Sequence, residues 1–599
     1  MKFKKDKILL YISVIISFLL GSFFWGHINL KFIDPGIRGT YSDNQFNALN
    51  EILRYAIFIF FPISTYLICK FFFEKNYFDK IKFFFITKRE NFSKKVIYLN
   101  IYFSIIIFII LLEFLSINFP NHLIDIYHEG QKLSSAYKSF LDGSLWSGSY
   151  ITVGIFYETL SSKIIWYLFD HVSIGLTRFA EVFYILVLKV NLIVLAYLVT
   201  RHTSLKPIPA NLFFIINSII LVGLTDYNIA SVDLITYREI PIIFLTILFL
   251  MTNLLNSNFI VLILISSMSI LSMFWGIDRG LVCNFLIILI LINFFLQKDF
   301  KKFLNIFSFI VLFWISFYLF NKAEFFHFLE NTIHILKDFG YTYGIIHPIP
   351  FSDEMNSARA TKTLFFIILS LTLSLSLIFT KKKYYSLQLK RIFLFLAIIG
   401  TVSYLYALVR SDGPHMKQIF GYQIIFFSFF IFNKLLNKSS IKIRQSIPTI
   451  TILAIIMISL FLNIIKPNNI LSFKKRFINY LNKPDSYFLS KKDNLLINEL
   501  KSYSYLDNCF DLFTYDASIL YLMRKKSCTR YYFVNSLGSE INQKKYVEEI
   551  KTKTKYLITN GKTDDWDPIQ KKYSIVYDFI LTNFNLYKDG QYKIMKKKN

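Results

Sequence analysis

Three polar side chains that could do chemistry lie within five positions of one another, in a stretch between apolar segments: Asp125, His128 and Glu129. Residues four apart share one face of a helical turn, so the two carboxylates would be neighbours there. A carboxylate in this place is suited to act as general base on an acceptor hydroxyl, with the imidazole as its helper. The same pattern is typical of solvated residues that cap a helix, and the spacing alone favours that simpler interpretation.

Cations stand in three other short connections, which the hydropathy pattern puts on the same side of the membrane: Arg238; Arg279 in WGIDRG; and Arg410, His415 and Lys417 in ALVRSDGPHMKQ. Arginine binds phosphate oxygens as a bidentate fork, whereas lysine acts as a point charge. Together, these cations would hold the phosphate of a lipid-linked donor and stabilise its developing charge. For any single arginine, a local ion pair or a head-group contact is the simpler reading. For the whole set, we give the two interpretations equal weight.

The elements that position these residues are predicted to be membrane helices. The chain has 599 residues, 54% of them hydrophobic, and its mean hydropathy is +0.46. Apolar runs of about 20 residues are long enough to cross a bilayer. They predict about thirteen spans, at 8–27, 55–73, 96–118, 179–200, 208–224, 240–255, 259–276, 281–297, 303–320, 363–380, 392–409, 418–436 and 448–465.

The net charge of +28 is explained by the membrane and not by nucleic acid. Most lysines and arginines lie beside the apolar runs, where they anchor helix ends and set orientation. Basic residues alternate between loops in the way expected for a cytoplasmic N-terminus. The prediction is a multi-pass protein of the bacterial inner membrane, with its C-terminal domain on the periplasmic or extracellular side.

Residues 466–599 are predicted to form a linker and a small α/β domain. Strand-like runs at 510–515, 529–533 and 555–559 alternate with helix-like ones, which predicts a parallel arrangement of the strands. No glycine-rich phosphate loop indicates a nucleotide site. Cys509 and Cys528 flank strand-like runs in this domain, and outside the cytoplasm a disulfide between them is permitted. A bridge and two free thiols both remain open.

The DIYHEGQ run, the aromatic and glycine-containing stretch after it, the DRG at the end of one span and the RSDGPH at another resemble bacterial multi-span membrane glycosyltransferases of the GT-C superfamily. The resemblance implies Asp125 as catalytic acid, with Glu129 second. It divides the chain into an N-terminal helix pair (1–95), a catalytic membrane module (96–465) with outer loop 119–178, and the C-terminal region (466–599). If the first span is instead the equivalent one, Asp34 or Asp43 in FIDPGIRGTYSDNQ takes the role.

The resemblance also implies a reaction: transfer of a sugar from a polyprenyl-phosphate donor to a glycan, lipid or protein acceptor on the outer face. Some relatives use a divalent metal, but no specific ligand set stands out in this sequence. Two other classes stay open, a transporter or flippase of lipid-linked glycans and an assembly or receptor protein. A polymerase or ligase of such glycans is a nearer rival. Unbroken apolar spans with ionisable residues at one rim favour chemistry at the surface over transport.

Overall fold

The computed structural model describes residues 2–30, 42–43, 45–87, 98–229, 233–254, 259–380, 385–438, 465–562, 564 and 569–598. Up to residue 438 this part of the chain is mainly helical. The helices are α1 (Lys2–His27), α2 (Ala48–Phe73), α3 (Tyr77–Ile86), α4 (Leu99–Ser116), α5 (His128–Asp142), α6 (Ser161–Phe169), α7 (Ile174–His202), α8 (Pro207–Val222), α9 (Ile240–Leu254), α10 (Phe259–Trp275), α11 (Ile277–Leu296), α12 (Phe300–Phe320), α13 (Lys322–Tyr343), α14 (Ser357–Ile378), α15 (Leu387–Val409) and α16 (Gly413–Lys438).

Nine helices in the described ranges are long and apolar enough to cross a membrane: α1 from Ile8, α2, α4, α7, α11, α12, α14, α15, and α16 up to Asn437. Each predicted span up to residue 436 coincides with a helix. Three of those helices, α8, α9 and α10, have only 15 to 17 residues, so the predicted total of thirteen spans is not confirmed. The last predicted span, 448–465, falls almost wholly on residues outside the described part.

Helix α7 lies at the centre of the bundle, because its apolar window is 61% buried whereas that of α12 is only 6% buried. It packs against α4, α8 and α9. Apolar residues lie on every side of this helix, as expected for one surrounded by other helices. Its buried ionisable residues, Arg178, Glu181 and Lys189, form ion pairs. The N-terminal pair is also integrated, since α2 packs against α14 and α15.

The long connection between α4 and α7 holds α5, a wide helical turn (Phe156–Leu160) and α6. Helix α5 carries small residues on the face that meets the C-terminal domain. A Cβ at Gly130 would lie 2.3 Å from the backbone nitrogen of Ser518, so only glycine fits there. The Ser134 hydroxyl donates to the carbonyl of Ala517 over 2.5 Å. The connection is therefore enclosed between the bundle and the domain.

The C-terminal region continues with α17 (Pro467–Leu471), α18 (Phe473–Leu481), α19 (Lys491–Ser502), β1 (Asp511–Phe513), α20 (Ile519–Leu522), α21 (Glu540–Lys553), β2 (Tyr556–Thr559), α22 (Ile569–Lys572), α23 (Ser574–Asn583), β3 (Phe584–Lys588) and β4 (Lys593–Lys597). The strand order is β1-β2-β4-β3. Only β1 and β2 pair in parallel, and the other two pairings are antiparallel. The predicted fold class, a helical membrane bundle with a small α/β domain, is confirmed.

The predicted parallel arrangement of that domain is wrong in two places. Residues 529–533, read as a strand, form none, and the backbone carbonyl of Arg530 accepts a hydrogen bond from Tyr150 of the long connection instead. The final strands β3 and β4 form a hairpin that the prediction missed, although Asp589-Gly590 between alternating residues is a hairpin signal. Cys509 and Cys528 are joined in a disulfide with a Cα–Cα distance of 5.1 Å, a normal separation for a bridge.

Candidate functional site

The predicted cations converge at the end of the bundle that carries the C-terminal domain. Arg238 lies in the turn before α9, Arg279 in the first turn of α11, and Arg410 directly after α15. The guanidinium carbons of Arg279 and Arg238 lie 4.4 and 5.6 Å from the ring centre of Tyr406, and the same phenol acts electrostatically on Arg410. Three connections that are distant in sequence therefore supply one cluster, which we call the arginine cluster.

Arg279 is the buried centre of this cluster. Its Nε and Nη2 donate to Glu239 over 2.8 and 2.5 Å, and its Nη1 bonds Asp278. The Tyr422 hydroxyl donates to the other oxygen of Glu239. These hydrogen bonds engage all three guanidinium nitrogens, and the two carboxylates balance the charge of Arg279. Only 4% of the side chain is exposed. Arg279 is thus placed to hold the cluster together more than to bind a ligand.

Arg238 and Arg410 differ from Arg279 in having nitrogens to spare. Arg238 donates through Nη2 to Asp278 over 3.0 Å, and Arg410 donates through Nε to Asp412 over 3.0 Å. Within the described ranges, the remaining guanidinium nitrogens of both residues have no hydrogen-bond acceptor. Their side chains are 17% and 26% exposed. Four nitrogens are therefore available to an incoming anion.

Asp412 bonds both Arg410 and the start of α16. Its second oxygen accepts from the backbone N–H of His415 over 3.0 Å and contacts the ring Nδ1 of the same residue. Burial alone would raise the pKa of Asp412, but the hydrogen bonds from His415 and the charge of Arg410 lower it to about 2. Lys417 is exposed on α16 and lies about 200° around the helix from His415, so it points away from the cluster.

Asp125 caps the start of α5. One oxygen accepts from the backbone N–H groups of Tyr127 and His128 over 3.0 and 2.8 Å, and the other lies 2.7 Å from His128 Nδ1. Burial alone would raise the pKa of Asp125, but these hydrogen bonds lower it below its usual range. The side chain is still 49% exposed. Asp125 therefore caps the helix and still presents a carboxylate that a substrate can reach.

Glu129 is held by a buried arginine. The Nε and Nη2 of Arg178 donate to its two oxygens over 2.7 and 2.8 Å, and Arg178 is fully buried. A Glu129 oxygen also accepts from the backbone N–H of Asp125 over 2.8 Å. Arg178 bonds both oxygens and only 15% of the Glu129 side chain is exposed, so Glu129 holds the loop in place. Its role as the second catalytic carboxylate stays a prediction.

A second buried ion pair links α5 to the arginine cluster. Lys132 bonds Glu181 and donates to the Tyr237 hydroxyl over 3.1 Å. Its ammonium lies 4.3 Å from the ring centre of Tyr157, and the guanidinium of Arg238 lies 5.3 Å from the same ring. The sequence did not reveal this contact, because Lys132 and Glu181 are 49 residues apart and neither position carries a local signal.

Of the alternative acids, Asp34 lies outside the described residues, whereas Asp43 is exposed on the connection between α1 and α2. Its carboxylate accepts from the backbone N–H of Ile346 over 2.9 Å. The neighbouring Ile345 donates to the carbonyl of Val409, one residue before Arg410. A single extended segment therefore lies between Asp43 and the arginine cluster, which places the connection between α1 and α2 near the candidate site.

In the described part of the chain, no three histidine, cysteine, aspartate or glutamate residues are grouped so that they could hold a metal ion. No protein-family model and no curated protein matches the chain. Solved structures do match it. ArnT from Cupriavidus metallidurans in the apo state is 10% identical, with 83% of this chain and 97% of that chain covered and a TM-score of 0.41.

The same ArnT bound to undecaprenyl phosphate is 8% identical over 83% of this chain and 97% of that one, with a TM-score of 0.39. The oligosaccharyltransferase of Archaeoglobus fulgidus, in complex with Zn and sulfate, is 12% identical, with 76% and 68% covered and a TM-score of 0.39. TM-scores below 0.5 indicate only a distant likeness to these structures. Both neighbours are GT-C-fold glycosyltransferases, the superfamily that the motifs of this sequence resemble.

Proposed function

We propose that this protein is a membrane glycosyltransferase that moves a sugar from a polyprenyl-phosphate donor to an acceptor on the outer face of a bacterial inner membrane. The observation that carries the proposal is the difference among the three clustered arginines. Arg279 is buried and fully bonded, whereas Arg238 and Arg410 are partly exposed and each has one bonded nitrogen in the described ranges. The spare nitrogens of these two partly exposed arginines are the ones that an anion can reach, whereas those of Arg279 are already bonded.

The donor phosphate is the ligand that suits these spare nitrogens. Guanidinium groups bind phosphate through paired, charge-assisted hydrogen bonds, which are about twice as strong as neutral ones. The cluster lies where apolar helices end, so a phosphate bound there keeps its polyprenyl tail against the bilayer. Asp278 and Asp412 hold Arg238 and Arg410 in place before the donor arrives.

The transfer needs one base and one leaving group. An acceptor hydroxyl oxygen attacks the anomeric carbon, and the bond from that carbon to the phosphate oxygen breaks. The phosphate leaves with the electron pair, and Arg238 and Arg410 stabilise its growing charge. The hydroxyl proton passes to a carboxylate, for which we propose Asp125 with Asp43 as the rival. The acceptor is a glycan, a lipid or a protein, and the geometry selects none of them.

The test is binding and transfer by the full chain in liposomes supplied with radiolabelled polyprenyl-phosphate sugars. We expect Arg410→Gln and Arg238→Gln each to weaken donor binding by about tenfold or more, since a hydrogen bond to a charged group contributes about 1.5–3 kcal/mol. Arg201→Gln, at the far end of α7, is the matched control and should bind as the wild type does. Equal donor affinity in all three variants would contradict the proposal.

A further inference from the structure

The C-terminal domain contacts both segments that flank the arginine cluster. On one side, the backbone N–H of Ser518 donates to the carbonyl of Ile126, just before α5. On the other side, the Ser539 hydroxyl donates to Asp338 of α13 over 3.0 Å. A Cβ at Gly538 would lie 2.8 Å from the Cα of Thr342, so the domain approaches the end of α13 closely.

One side chain of the domain joins these two segments. The Nδ2 of Asn535 lies 2.5 Å from the hydroxyl of Tyr127 and 2.5 Å from the hydroxyl of Tyr343. Asn535 is fully buried, and its Oδ1 has no hydrogen-bond partner among the residues that the structure describes. A buried amide oxygen without a partner is costly. The hydrogen bonds of this side chain within the described residues therefore go to the two tyrosines alone.

Each tyrosine leads to a group of the proposed site. The backbone N–H of Tyr127 donates to Asp125 over 3.0 Å. The guanidinium carbon of Arg410 lies 5.0 Å from the ring centre of Tyr343, where the ring attracts the cation. A shift of Asn535 would therefore move the acid loop and the phosphate-binding arginine together.

We propose that Asn535 is a positioning residue through which the C-terminal domain sets the relative places of the Asp125 loop and Arg410. This inference rests on the proposed function, because it assigns the two ends of the bridge to the base and to the donor phosphate. The C-terminal domain then contributes to the geometry of the site at the membrane. The residue touches neither substrate and acts only through Tyr127 and Tyr343.

The test uses the full chain in liposomes, with Asn535→Ala and a matched control, Gln543→Ala. Gln543 is a buried amide of the same domain whose Nε2 donates to the carbonyl of Lys572 over 3.0 Å, away from both segments. Hydrogen exchange is measured at 124–130 and 338–346, and KM is measured for the polyprenyl-phosphate donor. We expect Asn535→Ala to speed exchange in both segments and to raise the donor KM about five- to thirtyfold, the range for losing one neutral hydrogen bond or two. Gln543→Ala should do neither.

A double-mutant cycle separates positioning from general destabilisation. If Asn535 acts on Arg410 through Tyr343, adding Tyr343→Phe to Asn535→Ala raises the donor KM little further, whereas independent effects would multiply. Multiplying effects, or exchange in Asn535→Ala like that in Gln543→Ala, would overturn the inference. If Asn535→Ala does not fold, Tyr343→Phe alone removes the same bond from the other side.

Failure of the proposed function gives a different result. A wild-type chain that neither binds nor uses any polyprenyl-phosphate sugar refutes the transferase proposal and, with it, the assigned roles of Asp125 and Arg410. The exchange measurement still decides whether Asn535 holds the two segments. The two failures therefore cannot be confused.

Discussion

At the residue scale, chemistry depends on which charged side chains a substrate can reach. Glu129 and Arg279 were both candidates from the sequence, yet each is enclosed by opposite charges and fully bonded. Asp125, Arg238 and Arg410 keep exposed side chains. Removing Arg279 would leave two carboxylates without their cation, so its loss would affect folding as much as activity. Substitutions at the partly exposed Asp125, Arg238 and Arg410 are therefore the ones whose effect on transfer kinetics can be separated from an effect on folding.

The identity of the base is decided by comparing two carboxylates. We expect Asp125→Asn to lower kcat for sugar transfer about 100-fold or more, the usual contribution of a general base, while donor binding changes little. Asp43→Asn should keep most of the activity. Both variants are measured for transfer and for donor affinity at matched expression. A large loss of kcat in Asp43→Asn, with Asp125→Asn still active, would reassign the base to the connection between α1 and α2.

At the element scale, the segment between α13 and α14 links the N-terminal helix pair to the bundle. His347 of this segment is buried, lies 4.5 Å from the Trp25 ring of α1, and bonds the Tyr404 hydroxyl of α15 over 2.7 Å. The neighbouring Ile345 pairs with the backbone beside Arg410. These contacts join the N-terminal helix pair to the bundle, and the boundary between residues 1–95 and the catalytic module stays a prediction.

This histidine makes the packing sensitive to acid. Burial lowers the pKa of His347 to about 3, whereas in the unfolded chain it is about 6.5. Between these values the unfolded state binds the extra proton, so stability falls as the pH drops below about 6.5. At pH 5 the loss is about 2 kcal/mol. We expect His347→Gln to lose less stability between pH 7.5 and 5 in thermal unfolding of the purified protein.

The control for this prediction is His27→Gln, which removes an exposed histidine at the end of α1. It should leave the pH dependence of the wild type unchanged. If His347→Gln and His27→Gln show the same slope between pH 7.5 and 5, His347 is not the group that titrates.

At the scale of the whole molecule, the sequence predicts features that depend on neighbouring residues, but it does not predict contacts between residues far apart in the chain. Apolar runs located the helices, because each run is long enough to identify a span without its neighbours. Short motifs at helix ends located Arg238, Arg279 and Arg410, since alternating spans place those ends on one side. The pairing of Lys132 with Glu181 joins separate elements and has no local signal.

The C-terminal domain shows the same limit. Its disulfide and its α/β character were within reach of the sequence, but its contacts with the segments beside the arginine cluster were not. Asn535 lies 408 residues from Tyr127 and 192 from Tyr343. No pattern within the domain indicates either contact.

The orientation of the whole molecule determines which lipid leaflet and which acceptors the site meets. We expect a cytoplasmic N-terminus and an outer C-terminal domain, from the distribution of basic residues. Single cysteines placed at Tyr505, which is 76% exposed, and at Asn76, in the turn between α2 and α3, report the two sides. In intact cells, a membrane-impermeant maleimide should label Tyr505→Cys at once and Asn76→Cys only after permeabilisation.

The native cysteines do not obscure this experiment, because Cys509 and Cys528 are bridged and Cys283 is buried; Cys69 of α2 is replaced by serine in both proteins. The reverse labelling pattern would place the arginine cluster at the cytoplasmic face. A donor would then have to present its sugar there, and the acceptor would be a cytoplasmic molecule. The chemistry proposed for Asp125, Arg238 and Arg410 would be unchanged, but its place in envelope synthesis would precede the export of the product.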